Sequence, residues 1–296
     1  MIIVKLISGL GNQLFQYAIG RQLSIKRGVP LKLDTSFFQT QHLRSYKLDH
    51  YNIQAEIASE EEVASYLRRY KSLHLADRIY RKLERQLPKQ IRRYYKEGEW
   101  WGYEPQLLKA GGKVYLDGYW QHHRYFEHLY PQIREELTLK NRDASQAGKL
   151  EAEIVQNNSA VSLHIRRGDY LSDKTTSDFM GVLPLDYYHR AISYLGQKLP
   201  DPSYYVFSDD LEWAKENLRT DGSMQFVEMP GGNKDYAELD LMSKCRHNII
   251  ANSSFSWWGA FLNPNPGKIV IAPNKWVIPD DVNARIHLAF PSWIKL

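Results

Sequence analysis

Arg166 and Arg167 stand side by side at the end of an apolar run, in His164-Ile165-Arg166-Arg167-Gly168-Asp169-Tyr170. Successive strand residues face opposite sides, so one of the two must point at the core or at a ligand. A guanidinium offers a planar fork of donors that fits phosphate oxygens, and the pair therefore reads as a pyrophosphate clamp. The bland alternative is a surface ion pair with Asp169. His164 reads either as a satisfied core histidine or as a residue that steadies the arginine loop by hydrogen bonding rather than binding a metal. A second cluster is Asn252-Ser253-Ser254-Phe255-Ser256-Trp257-Trp258, again an apolar run followed by a helical pattern. One serine is accounted for as an N-cap. The remaining hydroxyls and the N–H donors of a helix start suit the distal phosphate of a nucleotide sugar, with Trp257 and Trp258 in the core.

Two further loops complete the set. Ser208-Asp209-Asp210 goes with the acidic run Asp235, Glu238 and Asp240. A carboxylate that accepts from two adjacent N–H groups can read a guanine edge, although acids at a helix start also serve as dipole partners. Gly9-Leu10-Gly11-Asn12-Gln13-Leu14 departs from the dinucleotide fingerprint, because Leu14 takes the third glycine position and Asp34 is the one acid at a suitable distance. Its chemical content is the backbone N–H groups at a helix start, around Gly11, with the amides of Asn12 and Gln13 beside them, which would line a phosphate or a sugar. Asp209 and Asp210 are adjacent rather than spaced, and neither a His-x-x-x-His nor a Cys-x-x-Cys pair occurs, so no essential metal and no cofactor are expected.

These loops need a scaffold that gathers strand ends. Apolar runs at 161–165, 204–207, 225–227, 248–251 and 269–272 alternate with helical patterns that begin near Leu185, Leu211, Tyr236 and Ser254. Strand, helix, strand at this spacing predicts parallel pairing through right-handed crossovers. The first half begins alike, with a strand at 2–7, a tight turn at 9–13, a helix at 14–26, a strand at 31–33 and another at 114–116. The fold class predicted is α/β, with two Rossmann-like domains at 1–150 and 151–296 facing a cleft, and the polar stretch 141–148 as linker. Ligands in such sheets bind beyond the carboxyl ends of the strands, where all four loops fall.

The 296 residues suffice for two cores, and 43% hydrophobic with 25% charged residues excludes a disordered, collagen-like or coiled-coil chain. A single cysteine, Cys245, excludes an internal disulfide framework and a cysteine zinc cluster, and fits a reducing cytoplasm. No leader or membrane-spanning run is visible, so the reading is soluble and cytoplasmic. The net charge of +5 is uneven: residues 66–96 hold eleven cations and two acids, +9, which leaves −4 for the remainder. Leu67, Tyr70, Leu73, Ile79, Leu83 and Leu87 recur there at helical spacing, which predicts an amphipathic insertion at about 60–100 broken near Pro88. A solvated face is the bland account; docking to an anionic membrane surface or to a phosphorylated glycan carrier is the sharper one.

The chain resembles bacterial α-1,2-fucosyltransferases of glycosyltransferase family 11. Residues 9–18 (GLGNQLFQYA), 118–126 (GYWQHHRYF), 164–170 (HIRRGDY), 207–210 (FSDD) and 252–260 (NSSFSWWGA) carry the likeness, in the family's order. The resemblance implies the GT-B type of fold, GDP-β-L-fucose as donor, a β-galactoside oligosaccharide as acceptor, and inversion at the anomeric carbon in one displacement. The product would be an α-1,2 linkage in a surface glycan of the O-antigen kind. Arg166 corresponds to the arginine that neutralises the donor pyrophosphate. Donor contacts are then expected from Gly11, Asn12, Gln13, His164, Arg167, Ser208, Asp209, Asp235, Asp240, Ser253, Ser254, Phe255 and Ser256. Acceptor contacts are expected from Tyr119, Trp120, His122 and His123 in the amino-terminal domain, and Asp169 is the candidate base. Two rivals stand beside this reading: a transferase of another nucleotide sugar, since a pyrophosphate clamp does not report the sugar, and a non-catalytic basic module bound to membrane or nucleic acid. The matched segments favour the enzyme and argue against nucleic acid.

Overall fold

The computed structural model of the chain describes all residues except 42, 89–90, 99–101, 142–145 and 230–233, together with the side chains at 146, 147, 169 and 172. The chain divides into two compact units, Met1–Thr138 and Leu139–Leu296. The first holds strands β1 (Ile2–Lys5), β2 (Leu31–Asp34), β3 (Glu56–Ile57), β4 (Tyr94–Lys96) and β5 (Val114–Asp117) with helices α1 (Leu10–Arg27), α2 (Glu60–Lys71), α3 (Leu75–Glu84) and α4 (Tyr130–Glu136). The strands pair in parallel in the order β3-β2-β1-β5-β4. Strand order runs outward from β1 through β2 to β3 and then returns to place β5 beside β1, so the switch point lies between β1 and β5.

The second unit holds β6 (Ala160–Ile165), β7 (Ser203–Ser208), β8 (Ser223–Phe226), β9 (His247–Ile249), β10 (Val270–Ala272) and β11 (Ile294–Lys295). Its helices are α5 (Gln146–Gln156), α6 (Gly168–Ser172), α7 (Lys174–Met180), α8 (Leu185–Gly196), α9 (Leu211–Asn217), α10 (Asp235–Lys244), α11 (Ser254–Leu262) and α12 (Asp280–Asn283). The parallel order β11-β10-β9-β6-β7-β8 puts the switch point between β6 and β9. Both units are thus doubly wound α/β sheets, as expected from the alternation of apolar runs and helical patterns.

Alternation along β6 fills two cores. Val161, Leu163 and Ile165 pack with Tyr187, Leu195 and Ala214 of α8 and α9, while Ala160 joins Tyr205, Phe207, Leu241 and Met242 on the α10 side. Ile154 and Leu150 of α5 belong to that second core. This is why the division falls at Thr138 and not at the expected residue 150: α5 buries its apolar face in the second unit. Of the expected linker at 141–148, residues 142–145 lie outside the described residues and Gln146 opens α5.

Two details of the first unit differ from expectation. Helix α1 starts at Leu10, so Gly11, Asn12 and Gln13 sit in its first turn and the tight turn moves upstream, to Ser8 at φ 68°. The basic region stops being helical before Pro88, as expected, with α3 ending at Glu84, but it is also interrupted at Ser72 to His74, where Arg81 Nη1 reaches back to the carbonyls of Arg69, Tyr70 and Ser72 at 2.6, 3.1 and 2.7 Å and stabilises the end of α2. Its last three residues are not helical but form β4, which pairs with β5.

Gly20 sets how closely α1 lies on the sheet. A Cβ there would come within 2.5 Å of Val4 Cγ2 and 2.8 Å of Leu31 Cδ1, both buried branched side chains. Alanine in a helix interior gains about 1 kcal/mol over glycine, but overpacking at this distance costs about 1–3 kcal/mol and forces α1 outward. Gly20→Ala is therefore expected to lower the melting temperature; a melt equal to or above that of the wild type would show that the helix can move at no cost.

Candidate functional site

The carboxyl edge of the second sheet gathers three of the four loops. Arg166 follows β6 with the parity of His164, and Arg167 with that of Ile165, so the two arginines separate to opposite sides. Arg167 lies 3.9 Å over the Trp213 ring of α9, and its Nε is 3.1 Å from Asp210 Oδ2. This is a structural role, and it answers the puzzle of two adjacent arginines. Arg166 Nη1 lies 3.0 Å from Asp209 Oδ2, and its guanidinium sits 5.8 Å from the Tyr170 ring centre. Asp209 is thus an ion-pair partner of Arg166; the side chain of Asp169, the partner weighed from the sequence, lies outside the described residues.

Asp209 also accepts the Arg167 N–H at 2.8 Å. Each of its oxygens meets one arginine, so Asp209 holds the arginine loop. Asp210 caps α9 by accepting from Trp213 N at 3.2 Å, and Ser208 Oγ accepts the Asp210 N–H at 2.9 Å. Gly168 makes the approach possible, since a Cβ there would lie 3.0 Å from Asp209 Oδ2.

Across the switch point, Tyr170 Oη donates to the Asn252 carbonyl at 3.0 Å, and Asn252 Nδ2 donates to the carbonyls of Met180, Gly181 and Trp276 at 3.0, 3.0 and 3.2 Å. The start of α11 is thereby fixed to the arginine loop. Ser253 is its N-cap, accepting from Phe255 N at 3.3 Å. Ser256 is buried and its Oγ accepts the Ala251 N–H at 3.2 Å, so Ser256 builds the turn instead of facing a ligand. Ser254 and Phe255 are half-buried and remain at the edge. Trp257 and Trp258 are fully buried, as expected, with Trp257 Nε1 donating to Leu288 O at 2.8 Å.

His164 is buried, the core placement weighed from the sequence. Its Nδ1 has no hydrogen-bond partner among the described residues, and its ring packs 5.5 Å from that of Phe255. Burial and the charge of Arg166 push the imidazole down to about 3, so it stays neutral and fills space beneath the loop.

The acidic run divides. Asp235 opens α10, accepting from Tyr236 N at 3.0 Å, whereas Asp240 turns to Lys244 at 3.5 Å and leaves the cluster. Glu238, one turn on from Asp235, belongs to the acidic run singled out in the sequence but not to the expected donor contacts. Burial, reinforced by the charges of Asp235 and Asp209 and opposed by Arg166, pushes its carboxyl up to about 7. Among the described residues no three acids, histidines or cysteines gather as a metal-ligand set.

At the switch point of the first unit, Asn12 Nδ2 donates to Ser8 Oγ at 2.9 Å and Asn12 Oδ1 accepts from Gln121. Gln16 Nε2 donates to Gly118 O at 3.0 Å, which ties the loops after β1 and β5 together. Gln13 is fully buried; its amide donates to Ser8 O and Ser45 O and accepts from Lys47 N, so it shapes the loop rather than meeting a ligand. Trp120 and His122 are buried, and Tyr119 and His123 half-buried. Burial and Arg124 push His123 down to about 4, which leaves it neutral near pH 7. An unforeseen carboxylate, Glu97, accepts from Tyr119 N at 2.6 Å and Trp120 N at 3.0 Å, yet burial outweighs those donors and pushes it up to about 7.

The profile of Glycosyl transferase family 11 matches residues 1–295. An O-antigen biosynthesis glycosyltransferase of Escherichia coli, WbnK, is 34% identical over 312 residues, covering 98% of this chain and 99% of the relative. An alpha-1,2-colitosyltransferase, also of Escherichia coli, is 32% identical over 297 residues and covers 96% and 95% of the two chains. Among solved structures, the fucosyltransferase NodZ from Bradyrhizobium aligns with TM-score 0.54 at 14% identity, over 89% of this chain and 92% of that one, which supports the same two-sheet α/β fold. With the profile spanning both sheets and every loop described above, the chain belongs to glycosyl transferase family 11.

Proposed function

We propose that the protein is an inverting, metal-independent α-1,2-fucosyltransferase that moves L-fucose from GDP-β-L-fucose to the 2-hydroxyl of a terminal β-galactoside in a surface glycan such as an O-antigen. The observation that carries this is Arg166, aimed by Asp209 and Tyr170 at the switch point where α11 begins. Departure of GDP puts negative charge on the β-phosphate. Arg166 and the first N–H groups of α11 would meet that charge, and their contacts strengthen as the bond to the sugar breaks. Arg167, Ser208 and Asp209 serve the clamp by holding it. Family membership supports the fucosyl donor, because fucose transfer is what the matched segments imply. Asp169, beside the clamp, is our assigned base for the acceptor hydroxyl, and the first unit, with Tyr119 and His123 at its edge, is assigned the acceptor.

A colitosyl donor is the second reading, favoured by the relative of that name that covers nearly the whole chain. A transfer assay in EDTA separates the possibilities. GDP-fucose is expected to fucosylate a β-galactoside array, and GDP but not UDP or dTDP to raise the melting temperature. Asp169→Asn is expected to keep the GDP shift and lose transfer. Transfer of colitose alone would move the donor assignment, abolition by EDTA would refute metal independence, and an active Asp169→Asn would remove the base.

A further inference from the structure

Helix α3 turns its apolar stripe to the outside. Leu75, Ile79 and Leu83 are 69%, 52% and 57% exposed, and Leu73 and Ile91, before and after the helix, are 91% and 59% exposed. At about 100° per residue the three helix positions span about 80° of the surface, with Arg78 and Lys82 along one flank and Asp77 and Glu84 roughly opposite. That opposite side is the packed one. Tyr80 meets Tyr70 of α2 edge-on at 6.4 Å and carries the Arg69 guanidinium 4.4 Å over its ring. Glu84 is buried and accepts the Arg93 N–H at 2.8 Å, so this acid does not neutralise the outer face.

Arg68, Lys71, Arg78, Lys82 and Arg85 are exposed and have no ion-pair partner among the described residues. Arg81 and Arg92 differ from them, being fixed to backbone carbonyls that hold the hairpin in shape. Five large apolar side chains on a cation-lined outer face is not what a water-facing helix requires.

We propose that the α2–α3 hairpin docks the protein on an anionic phospholipid bilayer, the α3 ridge entering the headgroup–acyl boundary while the flanking cations meet lipid phosphates. Charge selects this occupant over a second copy of the chain. Self-association through this face would oppose two segments of +9, whereas a bilayer supplies the opposite sign. The inference stands independently of the donor chemistry.

Co-sedimentation of the full chain with vesicles tests it. Partition onto phosphatidylcholine mixed with phosphatidylglycerol is expected to exceed that onto phosphatidylcholine alone by at least about tenfold. Leu75→Ser/Ile79→Ser/Leu83→Ser, which leaves charge unchanged, and Arg78→Glu/Lys82→Glu should each lower partition at least about tenfold. Both variants should melt like the wild type and keep the same GDP shift, because these side chains make few packed contacts. Equal partition onto both vesicles, or partition untouched by either variant, would overturn the proposal. A dimer in sedimentation velocity that the serine variant dissolves, with no vesicle binding, would assign the ridge to a second copy instead.

Discussion

Arg166→Ala is expected to lower kcat/KM at least about a hundredfold, the loss seen when one preorganised donor to a developing negative charge is removed. Roughly 2.7 kcal/mol of transition-state stabilisation corresponds to that factor, within the range of about 1.5–3 kcal/mol for a charge-assisted contact. The fold should survive. Arg166 and Asp209 are 21% and 25% exposed in their side chains, and Asp209 retains the Arg167 N–H when the guanidinium is gone. A partly solvated pair of this kind contributes about 1 kcal/mol at most, so the melting temperature should fall by only a few degrees. Arg166→Lys separates charge from shape: an ammonium restores the sign but not the fork that reaches Asp209 and a phosphate together, so rescue should be partial. Arg167→Ala should act differently, lowering stability through the lost Trp213 stacking and changing turnover less. Turnover near that of the wild type in Arg166→Ala would remove the clamp.

The loops that carry this reading were legible because each puts polar residues where an apolar strand ends. Arg166, Asp209 and Ser254 fall at the carboxyl edge once strands are read from apolar runs, and the sheet order brings them together. What could not be read is which polar residues face outward. Gln13, Ser256 and Trp120 look as available as Asn12, Ser254 and Tyr119 in the sequence, yet the first three are buried, Gln13 against the distant carbonyl of Ser45 and Ser256 within its own turn. Glu97 was invisible because its partners, the amides of Tyr119 and Trp120, arrive only when β4 pairs with β5. Short strands such as β3 and β4 carry too few residues for a period to show. The break near Pro88 is legible because proline is a strong local signal, while the earlier one at Ser72 to His74 is not, because Arg81 reaching back to α2 is a tertiary contact.

Glu238 gives the second large effect, and it is one of pH. Its carboxyl titrates at about 7 in the fold against an ordinary value of 4.5, so the folded protein binds the extra proton between those limits. A group raised in this way costs no stability below about pH 4.5 and its full penalty above about pH 7, on the order of 2–3 kcal/mol for a shift of this size. Glu238→Gln keeps the shape and removes the charge. Its melting temperature should match that of the wild type near pH 5 and exceed it near pH 8 by several degrees. The same carboxylate sits in the field of Arg166, where the proposed clamp would hold the diphosphate. Once ionised it competes for that field, so GDP affinity of the wild type should fall as pH rises through 7, by about tenfold if the repulsion is near 1.4 kcal/mol. The diphosphate titrates in the same range, but it does so equally with both proteins, and the difference between them isolates Glu238. Calorimetry at pH 6 and pH 8 should therefore show a steeper decline for the wild type than for Glu238→Gln, with more proton uptake on binding in the wild type than in the variant. Superimposable profiles would mean that Glu238 ionises as an ordinary surface acid, and α10 would then leave the site.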